Sequence, residues 1–452
     1  AYRCSHNPPA PEILDACDRQ GMLVLNENRF FNSGEDYLRQ LDEQVRRDRN
    51  HPSVMMWSTF NEEDWQGDER GVKLVKRMKR IIDAGDHFAR RPVTGAMSAG
   101  FSKDGAFAPL DVLGINYSLG VHDHVHKNLY PNKLIYSSES VSHSASRGEW
   151  QDKKHVYNNY DNHWVGWGDS LRKTWKFVDT REWDAGTFVW TGFDYLGEPT
   201  PYYSDWPSHS SLFGIIDLAG IPKDRYYLYR SHWNKDVETL HILPHWNWEG
   251  REGEVTPVFV YTNYPTAELF INGKSQGKRT KDLSVTAHNS GDSLSTANFK
   301  RQKRYRLMWM DTKYEPGTVK VIAYDKDGNA VAEKEMKTAG KPYRIELTAD
   351  RDRIMADGKD LSFVTVKIVD KDGNLCPTAA NEITFKVKGK GYYRAGANGD
   401  PTSLESFQAP HMKVFSGMMT AIVSSTEEPG KITLEATSKG LKKATLVIES
   451  GK

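Results

Sequence analysis

Ser53-Val54-Met55-Met56-Trp57-Ser58 is an apolar run with the length and composition of a buried strand, and Thr59-Phe60-Asn61-Glu62 carries it into two residues of a different kind. Upstream, Tyr37 to Arg47 places Leu38, Leu41 and Val45 at near-helical spacing; downstream, Val72 to Ala84 does the same. A strand flanked by two helices is a βα unit, and the unit recurs. Met22 to Leu25, Pro92 to Ala96, Val112 to Ile115, Leu134 to Ser137 and Thr187 to Trp190 read as further strands, with Ala1 to Arg3 as the first. Polar, chemically capable residues follow nearly every one: Asn26-Glu27, Asn61-Glu62, Asn116-Tyr117, Glu139, Trp190. Chemistry gathered at the C-terminal ends of successive parallel strands is how a (β/α)₈ barrel builds its site. About seven such strands occur, whereas a closed barrel has eight, so an N-terminally incomplete barrel is expected over residues 1–233.

After Trp233 the pattern changes. Pro257 to Tyr261, Ala267 to Ile271, Gly317 to Tyr324 and Val331 to Glu335 are short strands broken by Asn272-Gly273 and Asp327-Gly328 turns. They predict an immunoglobulin-like β-sandwich over 234–339, with Gly340-Lys341-Pro342 as linker. A second sandwich over 340–452 contains Phe363 to Val369 and Ile432 to Ala436. Asp325-Lys326-Asp327-Gly328-Asn329 recurs as Asp370-Lys371-Asp372-Gly373-Asn374. The pair reads as one hairpin turn used twice, because the bidentate glutamate of a calcium loop is missing.

The 452 residues predict two to four domains. Lys plus Arg (61) and Asp plus Glu (60) nearly cancel, which gives no reason to expect nucleic acid or an anionic membrane as partner. No apolar run approaches the ~20 residues of a membrane span. Cys4, Cys17 and Cys376 are too scattered for a disulfide framework and read as buried thiols. His122, His124 and His126 alternate and read as one strand face or a polar loop, with no carboxylate pattern that closes a metal site. The aromatic content of 11% suits sugar faces, whose C–H bonds pack on π surfaces, although core packing accounts for most of it.

Glycoside hydrolysis needs one protonated carboxyl and one ionised carboxylate on opposite faces of the sugar. Glu62 and Glu139, 77 positions apart, both follow barrel strands. Either alone fits a helix cap or a surface charge. Arg3-Cys4-Ser5-His6-Asn7-Pro8, Arg47 to Val54, Trp57 to Glu62 and Gly186 to Tyr195 resemble glycoside hydrolase family 2 in sequence and order. Trp190 to Pro201, Phe213 to Asp217 and Gly220 to Asp224 resemble its bacterial β-galactosidases. The resemblance implies preceding domains and a first barrel strand outside this sequence, and retaining exo-hydrolysis of terminal β-galactosides by double displacement. Glu62 would be acid/base and Glu139 nucleophile. Asn61 would bond the sugar 2-hydroxyl, Tyr117 would donate to the nucleophile and keep it ionised, and Trp190 would wall the pocket. His6, Asn28 and Arg29 stand where the family contacts substrate. Packed core for Tyr117 or Trp190, a structural role for His6, and an Arg29 ion pair with Glu27 or Glu62 are the plainer alternatives. A partly desolvated Glu62 facing a charged Glu139 would hold its proton.

The Asn-x-Lys of β-glucuronidases is not evident after Trp190, and Phe60 replaces the first asparagine of the β-mannosidase pair. The alternatives are a β-glucuronidase or other family 2 β-glycosidase, or a non-catalytic carbohydrate-binding piece. No cofactor or metal is expected, since the sequence departs from the enteric β-galactosidase pattern around Asn26-Glu27-Asn28. The implied partners are a terminal β-galactoside of an oligo- or polysaccharide and the preceding domains, with a homo-oligomer left open. The implied location is periplasmic or secreted in a bacterium.

Overall fold

The computed structural model describes residues 1–284 and 302–452, so residues 285–301 of the expected first sandwich lie outside the described residues. Two compact units emerge, one formed by residues 1–142 with 164–190 and the other by 143–163 with 191–452.

The first unit is a parallel seven-stranded sheet in strict chain order. Its elements are β1 (Tyr2–Cys4), α1 (Pro11–Gln20), β2 (Val24–Glu27), α2 (Glu35–Asp48), β3 (Val54–Asn61), α3 (Glu69–Gly85), β4 (Val93–Met97), β5 (Val112–Asn116), α4 (Leu119–His124), β6 (Leu134–Val141), α5 (Leu171–Asp179) and β7 (Asp184–Trp190). Sequential parallel neighbours, joined by helices except between β4 and β5, are the barrel pattern, with β1 and β7 as the two edges. Local chemistry sets the helix ends. Pro11 opens α1, where its missing N–H costs nothing, and Gly21 closes it at φ 67°. The Asp68 carboxylate accepts the Arg70 N–H at the start of α3 (2.8 Å), and Ser170 Oγ accepts the Lys173 N–H at the start of α5 (3.3 Å). Leu14, Leu41, Val45, Val75, Met78 and Ile82 turn inward from the helices onto Val24, Val54, Trp57, Val93, Leu113 and Ile135 of the sheet. That buried layer fixes the strand register and hence the position of every strand end.

The alternating histidines depart from expectation. His122 and His124 lie on α4, and His126 lies in the π-helical turn Val125–Leu129 that follows, not on a strand face or loop. Helical geometry sends them apart. His122 Nδ1 meets Asp184 at 2.9 Å in full burial, His124 Nδ1 takes Asn128 at 2.9 Å, and His126 stacks on Trp183 at 4.2 Å between centroids.

In the second unit, α6 (Asp224–Trp233) precedes β8 (Leu240–Leu243), β9 (Val258–Thr262), β10 (Thr266–Ile271), β11 (Lys274–Thr280), β12 (Leu307–Trp309), β13 (Thr318–Tyr324) and β14 (Ala330–Lys337). These pair as β11-β10-β13-β14 and β12-β9-β8, two sheets closed over Ile242, Trp246, Val260, Leu269, Trp309 and Val321. The second sandwich runs through β15 (Arg344–Ala349), β16 (Arg353–Met355), β17 (Leu361–Val369), β18 (Glu382–Gly389), β19 (Gly391–Ala397), β20 (His411–Lys413), β21 (Met418–Ser425), β22 (Gly430–Thr437) and β23 (Ala444–Gly451). Its sheets are β15-β17-β21-β19 and β16-β23-β22-β18-β20. The repeated pentapeptides are matching turns. Asp325 Oδ1 accepts the N–H of Asp327 and Asn329 at 2.9 Å each, and Asp370 Oδ1 accepts those of Asp372 (3.0 Å) and Asn374 (2.8 Å). All three cysteines are buried and free. Among the described residues no helix is long and apolar enough to cross a membrane.

Candidate active site

The parallel register brings Arg3, Glu27, Asn61, Asn116, Glu139 and Trp190 to the same end of their strands. Asn116 on β5 pairs with Glu139 on β6, and β6 runs past the expected Ser137 to Val141, so Glu139 sits within the strand.

Arg3, which the sequence presents only as the first residue of the Arg3-to-Pro8 block, is the hub. Nε and Nη2 donate to Glu27 Oε2 (3.2 and 2.7 Å), Nη2 also to Asn61 Oδ1 (2.9 Å), and Nη1 to Glu139 Oε1 (2.9 Å) and the Ser138 carbonyl (3.2 Å). All five guanidinium protons are committed. Burial opposes the charge on Arg3, but Glu27 and Glu139 outweigh it and raise the pKa. Glu27, quoted as a strand end without a role, also accepts from His6 Nδ1 at 2.7 Å and from Ser58 Oγ at 3.3 Å. His6 Nε2 lies 3.8 Å from Glu139 Oε1, and its ring stacks on Trp190, 5.2 Å between centroids at 20°. The residue is therefore both a brace for Glu27 and a wall beside Glu139.

Glu139 is held more by Arg3 than by the expected tyrosine. Burial pushes its carboxyl above the usual range and Glu62 adds to the rise, while Arg3 and His6 pull against it. Oε2 accepts no hydrogen bond among the described residues. The Tyr117 hydroxyl shares its proton with Ser142 Oγ at 2.8 Å instead of donating to Glu139. The Tyr117 backbone N–H donates to the Glu139 carbonyl at 2.7 Å. Burial raises the phenol pKa well above the usual tyrosine range, and the Glu139 charge adds to it. Tyr117 therefore supports the strand end that carries Glu139.

Glu62 is exposed, so the water-poor surroundings expected for it are not built by these residues. Its Oε1 accepts from Asn116 Nδ2 at 2.7 Å, and its backbone N–H donates to Ala96 O at 2.9 Å. Asn61 Oδ1 accepts from both Arg3 and Asn116, each at 2.9 Å, which turns the Asn61 Nδ2 protons outward. Asn28 is buried and donates to the Phe30 carbonyl at 2.6 Å, a turn-closing bond. Arg29 is exposed, lies 5.8 Å over the Phe30 ring, and pairs with neither Glu27 nor Glu62. Its charge instead pulls down on Glu63, whose carboxyl burial pushes up. Arg3 could have been suspected from the resembling block, and Asn116 and Glu27 from their strand-end positions. Glu63 carried no sequence signal beyond its neighbour.

Several non-glycine residues at this rim adopt left-handed backbone: Glu62 (φ 52°), Tyr117 (52°), Ser118 (35°), Val141 (77°) and Ser142 (48°). Among the described residues, Asp15, Asp18 and His51 approach a metal-binding arrangement away from these strand ends. Asp18 is already committed to His51 Nδ1 (2.7 Å) and the Ser53 N–H (2.9 Å).

A buried carboxylate with one free oxygen and a second, accessible carboxylate on a nearby strand end are the parts a retaining glycosidase uses. Residues 32–203 match the "Glycosyl hydrolases family 2, TIM barrel domain", 345–447 the "Glycoside hydrolase family 2 C-terminal domain 5", and 253–332 a "Domain of unknown function (DUF4982)". The chain belongs to glycoside hydrolase family 2. Within family 2 it is 39% identical, over 99% of its length, to "Beta-galactosidase BoGH2A" of Bacteroides ovatus, covering 57% of that protein. It is 27% identical over 95% of its length to a "Putative beta-glucuronidase" of Formosa agariphila, covering 43% of it. The chain thus spans about half the length of the curated family 2 relatives it matches. A solved family 2 member from Bacteroides cellulosilyticus superposes with a TM-score of 0.81 at 30% identity, over 100% of this chain and 57% of that one. A β-glycosidase from Bacteroides vulgatus gives 0.81 at 30%, over 99% of this chain and 59% of that one.

Proposed function

We propose that this chain carries the catalytic centre of a retaining family 2 exo-β-galactosidase. The observation that carries the reading is the unequal treatment of two glutamates: Glu139 buried and fixed by Arg3 through one oxygen, Glu62 accessible and held through Asn116. In the first step, Glu139 Oε2 bonds the anomeric carbon as the C1–O bond breaks, and Glu62 gives its proton to the departing oxygen. Asn61 Nδ2 donates to the 2-hydroxyl, and Trp190, stacked on His6, offers a face to the ring. Substrate seated against Glu62 displaces water from it and supplies the low-dielectric surroundings that an acid needs. In the second step, Glu62 takes a proton from water, which displaces Glu139 from C1.

Galactose is favoured by the β-galactosidase relative at 39% identity and by the lack of an Asn-x-Lys between Trp190 and Trp233. The glucuronidase names among more distant relatives keep the uronide as the second reading, with exposed Arg29 as the cation it would use. The test is hydrolysis of nitrophenyl β-galactoside and β-glucuronide by the intact protein carrying this chain. The galactoside is expected to turn over faster, with a β-configured first product by NMR and a loss of about 10⁴-fold or more in Glu139→Gln. An α-configured first product or an undiminished variant sinks the mechanism; a faster glucuronide sinks only the sugar assignment.

A further inference from the structure

We infer that Asn116 is a positioning residue for Glu62 and sets which of its two oxygens carries the transferred proton. The inference rests on the reading of Glu62 as acid/base. Asn116 ends β5, is 1% exposed, and commits its whole amide. Nδ2 donates to Glu62 Oε1 (2.7 Å) and Asn61 Oδ1 (2.9 Å), and Oδ1 accepts the Ser138 hydroxyl at 2.6 Å. The two acceptors that face Nδ2 fix the amide's direction: turned over, the amide would set its oxygen against Glu62 Oε1 and Asn61 Oδ1.

Glu62 needs such a hold. It is exposed, at left-handed φ, on a side chain whose rotamers are otherwise free, and an acid that wanders cannot meet the leaving oxygen. With Oε1 occupied by an N–H, Oε2 is the oxygen left to hold the proton. When the C1–O bond breaks, its electron pair goes to the leaving oxygen, which takes the proton from Oε2, and Glu62 becomes a carboxylate. The Asn116 bond then becomes charge-assisted, so it is stronger after proton transfer than before. Ser138 adjoins Glu139, so β6 both carries the nucleophile and steadies the amide that aims the acid.

The test is kcat/KM across aryl β-galactosides, from dinitrophenyl to phenyl leaving groups, in the intact protein carrying this chain. A dinitrophenolate leaves with little acid help, whereas a phenolate depends on it. Asn116→Ala and the near-isosteric Asn116→Leu, which offers Glu62 no proton, are expected to lose roughly 10- to 100-fold on phenyl galactoside. On the dinitrophenyl substrate they should lose less than about 3-fold. Ser138→Ala should show the same dependence at smaller size. Equal loss on every leaving group in the Leu variant would reduce Asn116 to a structural residue and overturn the inference. Glu62→Gln separates the two claims. If it shows no leaving-group dependence, the acid/base reading fails; if it does while both Asn116 variants do not, this inference fails alone.

Discussion

Each unit buries a cation against carboxylate, and the two pairs are finished differently. In the second unit Lys223 is wholly buried, with its Nζ donating to Ala145 O (2.7 Å), Leu212 O (3.2 Å) and Asp194, whose Oδ2 is 2.7 Å away. Asp194 Oδ1 also accepts the Gly214 N–H at 2.8 Å. Both oxygens of the acid and all protons of the base are therefore used. Burial still pushes Asp194 up to about 6, against the pull of Lys223, and pushes Lys223 down. In the barrel Arg3 is equally saturated, but Glu139 Oε2 accepts no hydrogen bond among the described residues. Saturating the cation builds scaffold in both places; a single unused oxygen on a fixed carboxylate turns one of them into a reagent.

Substitution of the two cations is the sharpest way to break that contrast. Arg3→Met should lower kcat/KM by roughly 10³-fold, the equivalent of uncovering a buried charge partner. It should also shift the acid limb of the pH profile. Arg3 opposes the burial-driven rise of Glu139, so without it the nucleophile stays protonated to higher pH and the limb moves up. An unmoved limb would remove Arg3 from the site's chemistry. Lys223→Met should cost about 3–5 kcal/mol in denaturant unfolding, yet leave kcat per folded molecule within about 2-fold. Adding Asp194→Leu should restore stability to within about 2 kcal/mol, because an apolar pair can replace a buried ionic one. Loss of rate without loss of stability in Lys223→Met would erase the distinction. The smallest effect belongs to the exposed cross-strand pair Lys388–Glu435, 2.6 Å apart. Lys388→Ala should leave the unfolding midpoint unchanged, and a clear drop would show that burial is not what separates these pairs.

The strands were readable because each is a short apolar run closed by polar residues, and a period of two survives any ambiguity about strand ends. The place of Glu62 just past β3 followed from the same pattern, whereas β6 runs two residues beyond Glu139. What joins them did not. Arg3 meets Glu139 across 136 positions and Arg147 meets the Asn398 carbonyl across 251, and no local periodicity encodes such contacts. Alternation at 122, 124 and 126 mimics a strand, whereas the segment is helical and His122 is buried against Asp184. Tyr117 was placed at the correct strand end, but its hydroxyl partner depends on where the chain turns after Val141, where Ser142 takes up left-handed backbone.

That left-handed rim bears on where the site's precision comes from. Val141 at φ 77° is β-branched, and Glu62, Tyr117, Ser118 and Ser142 share the strained region. Each costs about 1–3 kcal/mol, which glycine would relieve. Glycine at buried Tyr117 would nevertheless lower stability, because the packing and the Ser142 hydrogen bond lost with the ring outweigh the strain relieved. The loops that leave β3, β5 and β6 are thus held in a costly backbone by the packing and hydrogen bonds around them, and the site's precision is supplied by its surroundings and not by local preference.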